Sequence, residues 1–436
     1  MSKFKTTEYQ LQCVATSHTF KDTNWTLEDK ECKTPSLVRT LYATKQLTVR
    51  PELGLYAFAD WLPVHRMFEG SAAPVTYRSV GLATYLGLQN LHITFNGYNP
   101  MIDARMTSCS FKETEAYSVC GRIPQGEGRV LVVASAGNSA RAFAKVCSAG
   151  KIPLLLCVPA DNVEALWFEK PLSSCVKLIT TESGSDYYDA ILLADKVLHS
   201  HHFFNEGGVK NVARRDGMGT TFLSAATTIG RIPDYYFQAV GSGTGAVAAW
   251  EANLRLIEDG RYGNHKTKII VSQNAPFAPI YEAWQAGSRE IPHYDNYRAR
   301  RDAAIIDAKV LSNRNPPYSI AGGLYDALKD CGGDVMIVTN AAARKAAQLF
   351  ERLEGVDIHP AAAVATASLI RAVQCGSVDK SAVISLNITG GGERCYKATR
   401  REMYTLTPSA TFRIDAPTDN IVTSAEKLFG FTAKHK

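Results

Sequence analysis

The sequence predicts an α/β protein: two parallel-sheet domains with helices on both faces, preceded by an N-terminal extension. Three observations predict it. From about residue 125 onward, short apolar runs alternate with amphipathic segments. Chains that alternate strand and helix build parallel sheets, because each crossover returns to the same end of the sheet. Glycine-rich turns follow directly on several of the apolar runs, which is where such folds bind their ligands.

The elements follow in order. R-V-L-V-V-A-S (129–135) reads as a buried strand and A-R-A-F-A-K-V-C (140–147) as the helix after it. I-P-L-L-L-C-V-P (152–159) and V-K-L-I-T-T (176–181) are further strands, and Y-D-A-I-L-L-A-D-K-V-L (188–198) a further helix. Y-Y-F-Q-A-V (235–240) leads into the helix A-V-A-A-W-E-A-N-L-R-L-I-E (246–258). K-I-I-V-S (268–272), D-V-M-I-V-T (334–339) and A-V-I-S-L-N (382–387) complete the strand series. Residues 1–55 are polar and mixed, with strand-like pieces such as Leu47–Thr48–Val49, and read as an appended element.

Composition narrows the class. Hydrophobic residues make up 45% and charged residues 21% of 436, enough apolar mass for a sizeable core. The net charge of +6 is mild and comes without a Lys/Arg run, so no nucleic-acid arm is expected. No apolar stretch approaches the roughly 18 residues of a membrane span. The first ten residues are polar and lack the apolar core of a signal peptide. Ten cysteines without a C-x-x-C pair read as reduced thiols in the cytoplasm, and no metal site is expected. His199 and His202 would share a helix face, with no further ligand at metal-binding spacing.

Four motifs carry chemistry. A-S-A-G-N-S-A (134–140) lies between strand and helix. Its small residues let Ser135, Ala136, Gly137 and Ser139 approach an anion with backbone N–H groups, and Asn138 adds an amide that donates and accepts. A-V-G-S-G-T-G-A-V (239–247) repeats the arrangement. Gly241, Ser242, Gly243, Thr244 and Gly245 suit a monophosphate; no Lys-Ser/Thr follows as in a P-loop, and the third glycine comes too early for a dinucleotide fingerprint. S-L-N-I-T-G-G-G-E (385–393) places the Thr389 hydroxyl before three glycines, in reach of a heterocycle nitrogen. T-S-C-S-F-K-E-T-E-A (107–116) sets Lys112 behind Phe111 at the start of a helix. A lysine in such an apolar setting sheds its proton more readily, and its free amine condenses with a carbonyl.

Together S-F-K, A-G-N-S, G-S-G-T-G and I-T-G-G-G resemble the fold-type-II pyridoxal-phosphate enzymes, relatives of the tryptophan synthase β chain, and within them the threonine synthase-like group. The helix E-G-V-D-I-H-P-A-A-A-V-A (354–365) extends the likeness. Further stretches resemble the branch that replaces the phosphate of O-phosphoserine with sulfite: D-W-L-P-V (60–64), A-P-V-T-Y-R-S (73–79), N-V-A-R-R-D-G-M-G-T (211–220), Q-N-A-P-F-A-P-I (273–280) and N-P-P-Y (315–318). The N-terminus departs from that branch's cysteine-rich start, keeping only Cys13 and Cys32.

The resemblance implies pyridoxal 5′-phosphate held by Lys112 as an internal aldimine, with Gly241 to Gly245 on its phosphate, Asn138 at the ring 3′-oxygen and Thr389 at the ring nitrogen. It implies that Ser135, Ala136, Gly137 and Ser139 bind the substrate carboxylate, and that the freed Lys112 amine moves the Cα proton on the way to an aminoacrylate. Small anionic substrates call for guanidinium groups, for which Arg78, Arg105, Arg141, Arg214 and Arg215 are the candidates. The implied division is residues 1–55 as an extension, 56–124 with 236–436 as the large cofactor domain, and 125–235 as a smaller mobile domain carrying the Asn138 loop. A homodimer is implied as well. Three alternatives stay open: threonine synthesis from O-phosphohomoserine, replacement by another nucleophile, and a non-catalytic binder of the cofactor.

Overall fold

The computed structural model describes residues 7–23, 25–292 and 294–431; residues 1–6 of the expected N-terminal element and the last five residues lie outside it. The chain divides into two compact units, 1–122 with 208–396, and 123–207 with 397–436.

The larger unit is built on a six-stranded sheet. Its order is Asp334–Thr339, Lys268–Ala275, Tyr235–Ala239, Val383–Ile388, Asn90–Phe95, Val75–Arg78; the first five run parallel and the last is antiparallel. Because five strands point one way, the loops after Phe95, Ala239, Ala275, Thr339 and Ile388 share one edge. Two of the four motifs begin there. The central strands are apolar on both faces, as buried parallel strands must be. Their exceptions are Gln238, Ser385 and Asn387, all buried. Asn387 Nδ2 donates to Gln238 Oε1 at 2.8 Å and to the Tyr236 hydroxyl at 2.7 Å. Burial pushes the Tyr236 phenol well above its ordinary range and keeps it neutral.

The smaller unit is a five-stranded all-parallel sheet in the order Phe203–Asn205, Val130–Ala134, Leu154–Pro159, Val176–Thr181, Ala410–Phe412. Helix Asn138–Gly150 follows the second of these strands.

The strands and helices read between residues 129 and 339 and the strand at 382–387 are present; of 354–365, helix resumes only at Pro360, after a non-helical link at 355–359. The division of the chain differs from the expected one in three places. Residues 208–235 belong to the larger unit. Helix Val212–Ile229 packs against both Lys112–Arg122 and Thr244–Asp259. Gly217 makes this possible, since a Cβ there would come within 2.5 Å of the Thr114 carbonyl oxygen. The tail 397–436 joins the smaller unit: Ala410–Phe412 pairs with Val176–Thr181, and Lys196 Nζ donates to the carbonyls of Ile414 and Ala416 at 3.0 and 2.8 Å.

The N-terminal residues are no appendage. Tyr9–Cys13, Thr19–Phe20 and Val38–Tyr42 form an antiparallel sheet tied into the larger unit by buried charge. Thr40 and Tyr42 hydroxyls donate to Asp216 Oδ2 at 2.7 and 2.6 Å, and Arg122 reaches Asp22 at 2.8 Å. Leu47–Val49 forms no strand. The Leu47 and Thr48 amides are taken by the carboxylates of Asp259 and Asp60, at 2.8 and 2.9 Å, which ends any ladder there. His199 and His202 do not share a helix, because helix Tyr187–Val197 ends before them; His202 stacks on Phe431 at 4.1 Å.

Arg215 illustrates the charge inside this unit. Its Nε donates to Glu251 Oε2 at 2.9 Å, and its other nitrogens reach the Val209 and Val38 carbonyls. Burial pushes the Glu251 carboxyl up, but Arg215, Arg39 and Arg255 together hold it below the ordinary carboxylate range. A depressed carboxylate contributes stability above its unfolded pKa, and that contribution disappears as pH falls through the folded value. Glu251→Ala leaves Arg215 buried without its carboxylate and should cost roughly 3–5 kcal/mol in urea denaturation at neutral pH. The gap to wild type should narrow as the pH is lowered below the ordinary carboxylate range.

Candidate active site

The lysine helix begins where the sequence offers a capping signal, S-F-K-E. Ser110 Oγ accepts the Lys112 amide at 3.3 Å, and Glu113 Oε2 reaches back to the Ser108 amide at 2.8 Å. Just before it, Cys109 adopts a left-handed backbone (φ 53°), a conformation a non-glycine residue keeps only when its surroundings impose it. The imposing partner is the loop after strand Val383–Ile388. Gly391 N–H donates to the Cys109 carbonyl at 3.1 Å, and Phe111 N–H donates to the Thr389 carbonyl at 3.0 Å. Ser110 and Gly390 form an antiparallel bridge between the two. Gly390 has to be glycine, because a Cβ would come within 2.5 Å of His359 Nδ1 and lie 2.8 Å from the Cys109 carbonyl.

The third motif closes on the same place. Helix Thr244–Asp259 starts from Gly243 at φ 82°, where glycine costs nothing. The Phe111 ring rests against Gly245, with 3.2 Å between its edge and the position of a Cβ, and packs with Met218 and Ala248. Gln238, locked by Asn387 and Tyr236, fills the other side of Gly245. Lys112, the 241–245 turn and Thr389 are therefore brought together through Phe111.

The resulting donor set can be described atom by atom. The Lys112 side chain is 21% exposed; its Nζ lies 5.0 Å from the Phe111 ring centre and 3.1 Å from Glu115 Oε2. Thr389 is 7% exposed, and its hydroxyl bonds to no protein group among the described residues. The first amides of helix Thr244–Asp259 form the positive end of its dipole. Ser242 Oγ accepts one of them, from Thr244, at 3.3 Å.

In the smaller unit, Ser135 and Asn138 are shaped by capping. Ser135 Oγ accepts the Gly137 and Ala140 amides, both at 3.0 Å, so this hydroxyl holds the turn in shape. Asn162 Nδ2 donates to the Ala136 carbonyl at 3.0 Å, and Ser139 is buried. Arg141 is buried on Trp167, 4.2 Å from the ring centre, and bonds to the Ala165 carbonyl at 2.7 Å and to Asn138 Oδ1 at 3.1 Å. That bond leaves Asn138 Nδ2 as the group to present to a ligand.

The arginine candidates separate on this geometry. Arg78 sits opposite His92, at the sheet edge away from the motif loops, and bonds to the Gln89 carbonyl. Arg105 is half exposed and pairs with Asp103 at 2.8 Å. Arg141 orients Asn138, Arg215 pairs with Glu251, and Arg214 lies 3.5 Å from Glu115. None of Arg78, Arg105 and Arg215 joins the site. Sequence reading missed Gln238, Asn387 and Glu115; the signal available for the first two was a lone amide inside an otherwise apolar strand.

Comparison with known proteins follows this geometry. Residues 101–390 match the family described as pyridoxal-phosphate dependent enzymes. A maize serine racemase structure is similar in fold, with a TM-score of 0.57 at 15% identity, covering 74% of this chain and 92% of that one. The chain thus belongs to the pyridoxal-phosphate-dependent enzymes of fold type II, and its cofactor is pyridoxal 5′-phosphate. Within them it is similar to cysteate synthases: that of Methanocella paludicola is 46% identical over 91% of this chain and 92% of the relative. That of Methanosarcina mazei is 48% identical over 82% and 86%.

The residues present fit the cofactor. The amine, the helix start and the unpartnered Thr389 hydroxyl supply an attachment point, a phosphate site and a hydrogen-bonding group for a heterocycle. Gly245→Val should press on Phe111 and Gln238 together. It should lower pyridoxal-phosphate retention by at least tenfold, read from absorbance after gel filtration, while far-UV circular dichroism stays unchanged.

Proposed function

We propose that this enzyme replaces the phosphate of O-phospho-L-serine with sulfite, giving L-cysteate and inorganic phosphate. The observation that carries the reading is the identity of 45–48% to cysteate synthases across most of the chain. It is supported by the arrangement of Lys112, the 241–245 turn and Thr389 around one residue, Phe111.

When bound, the cofactor supplies an electron sink that lets the substrate lose its Cα proton and its Cβ–O bond. The protein supplies the rest. Lys112 Nζ would hold the cofactor and would serve as the base for the Cα proton. The amides from Gly241 to Gly245 hold the cofactor phosphate at the helix start, with Ser242 and Thr244 hydroxyls beside them, 2.9 Å apart. Thr389 would meet the ring nitrogen with a neutral hydroxyl, a partner that would suit departure of a leaving group at Cβ. Asn138, its Oδ1 held by Arg141, offers Nδ2 to the ring oxygen. The 135–139 turn would bind the substrate carboxylate through amides other than those of Ser135 and Gly137, which donate to the Cys157 carbonyl and to Ser135 Oγ, both at 3.0 Å.

At Cβ a C–O bond breaks and a C–S bond forms, so the overall reaction is a substitution without redox change. A cytoplasmic setting belongs to the same reading and is supported by ten cysteines that are all free thiols. A homodimer is the assembly it carries.

Phosphate release from O-phosphoserine should be accompanied by stoichiometric cysteate when sulfite is present. Threonine formed from O-phosphohomoserine, with no cysteate from phosphoserine, would replace this reading with threonine synthesis. Lys112→Ala should abolish the visible absorption of the cofactor-loaded protein and reduce turnover by at least a thousandfold.

A further inference from the structure

Glu115 has no task in the chemistry described so far. It lies one helical turn beyond Lys112 and is fully buried. Its carboxylate stands between two cations, with Oε2 3.1 Å from Lys112 Nζ and Oε1 3.5 Å from an Arg214 nitrogen. A carboxylate removed from water is costly unless charge compensates it, so the pairing accounts for its presence in the core. The other carboxylates on the two helices are engaged elsewhere. Glu113 accepts the Ser108 amide, and Asp216 accepts Thr40, Tyr42 and Arg255. Glu115, backed by Arg214, is the charge that faces the amine.

We infer that Glu115 is a positioning residue that supplies the counter-charge to the ammonium that Lys112 Nζ becomes on accepting a proton, with Arg214 keeping the carboxylate anionic and in place. The inference rests on the role proposed above for Lys112. A neighbouring negative charge favours the charged form of an amine. The proton leaving substrate Cα goes to the Nζ lone pair, and the ammonium so formed meets a counter-charge already in position. Glu115 itself neither gains nor loses a proton. The same charge acts in the opposite sense on cofactor capture, because only the neutral amine attacks an aldehyde and Glu115 disfavours it.

These opposite signs separate the proposed role from a merely structural one. Glu115→Gln keeps the shape of the side chain and one acceptor oxygen and removes its charge. Apo Glu115→Gln protein mixed with pyridoxal phosphate at neutral pH should develop its absorption band on the order of tenfold faster than wild type. The loaded variant should consume O-phosphoserine on the order of tenfold more slowly in a single turnover, with unchanged substrate-concentration dependence. It should also show a larger isotope effect with Cα-deuterated substrate, and Glu115→Asp should restore both rates in part. If both rates fall, both rise, or either stays at the wild-type value, the inference is overturned. Failure of the parent reading looks different: Lys112→Ala would then retain the absorption band.

Discussion

Everything in the larger unit's site depends on how the backbone at 109–111 is held. Two hydrogen bonds to the loop after strand Val383–Ile388 fix its position, and the Phe111 ring against Gly245 fixes its depth. The left-handed Cys109 is the visible cost of that fit. Three segments far apart in sequence meet through one aromatic residue, so the Lys112 amine inherits its place from contacts it does not itself make. A glycine at 390 and another at 245 are what permit the approach, since a single methyl at either position would collide with a fixed neighbour.

Beneath this junction lies a polar frame. Asn387, Gln238 and Tyr236 form a connected set inside the sheet, and Asn96 Nδ2 adds to it at 2.7 Å from Asn387 Oδ1. Buried amides that find partners make a core specific, because any shifted register would leave them unpaired. The frame thus fixes the heights of the two strands whose loops carry Gly241–Gly245 and Thr389. On the other side, helix Val212–Ile229 packs on both the lysine helix and the glycine-turn helix and brings Arg214 to Glu115.

The smaller unit uses a similar economy in its own strand–turn–helix. Ser135, read from the sequence as part of an anion-binding turn, closes that turn with its hydroxyl. Arg141, which looks like an anion receptor, orients Asn138 from a seat on Trp167. In both cases the residue type was informative and its task was not, because a cap and a ligand contact draw on the same donors and acceptors.

The parallel α/β class, the strand series and the four motif loops could be read from the sequence alone. Apolar periodicity and glycine placement are local properties, and local patterns persist in the folded chain. That Lys112, Asn138 and Thr244 open helices and that Thr389 follows a strand was legible for the same reason. The boundaries were not. Residues 208–235 and 397–436 exchange units because of pairings between distant segments, as when the three-residue Ala410–Phe412 finds its strand partner at 179–181. The sorting of arginines was likewise decided in three dimensions. Arg78, Arg141, Arg214 and Arg215 carry the same charge and differ only in which carbonyl or carboxylate stands beside them, and that depends on packing between segments that spacing along a chain cannot encode.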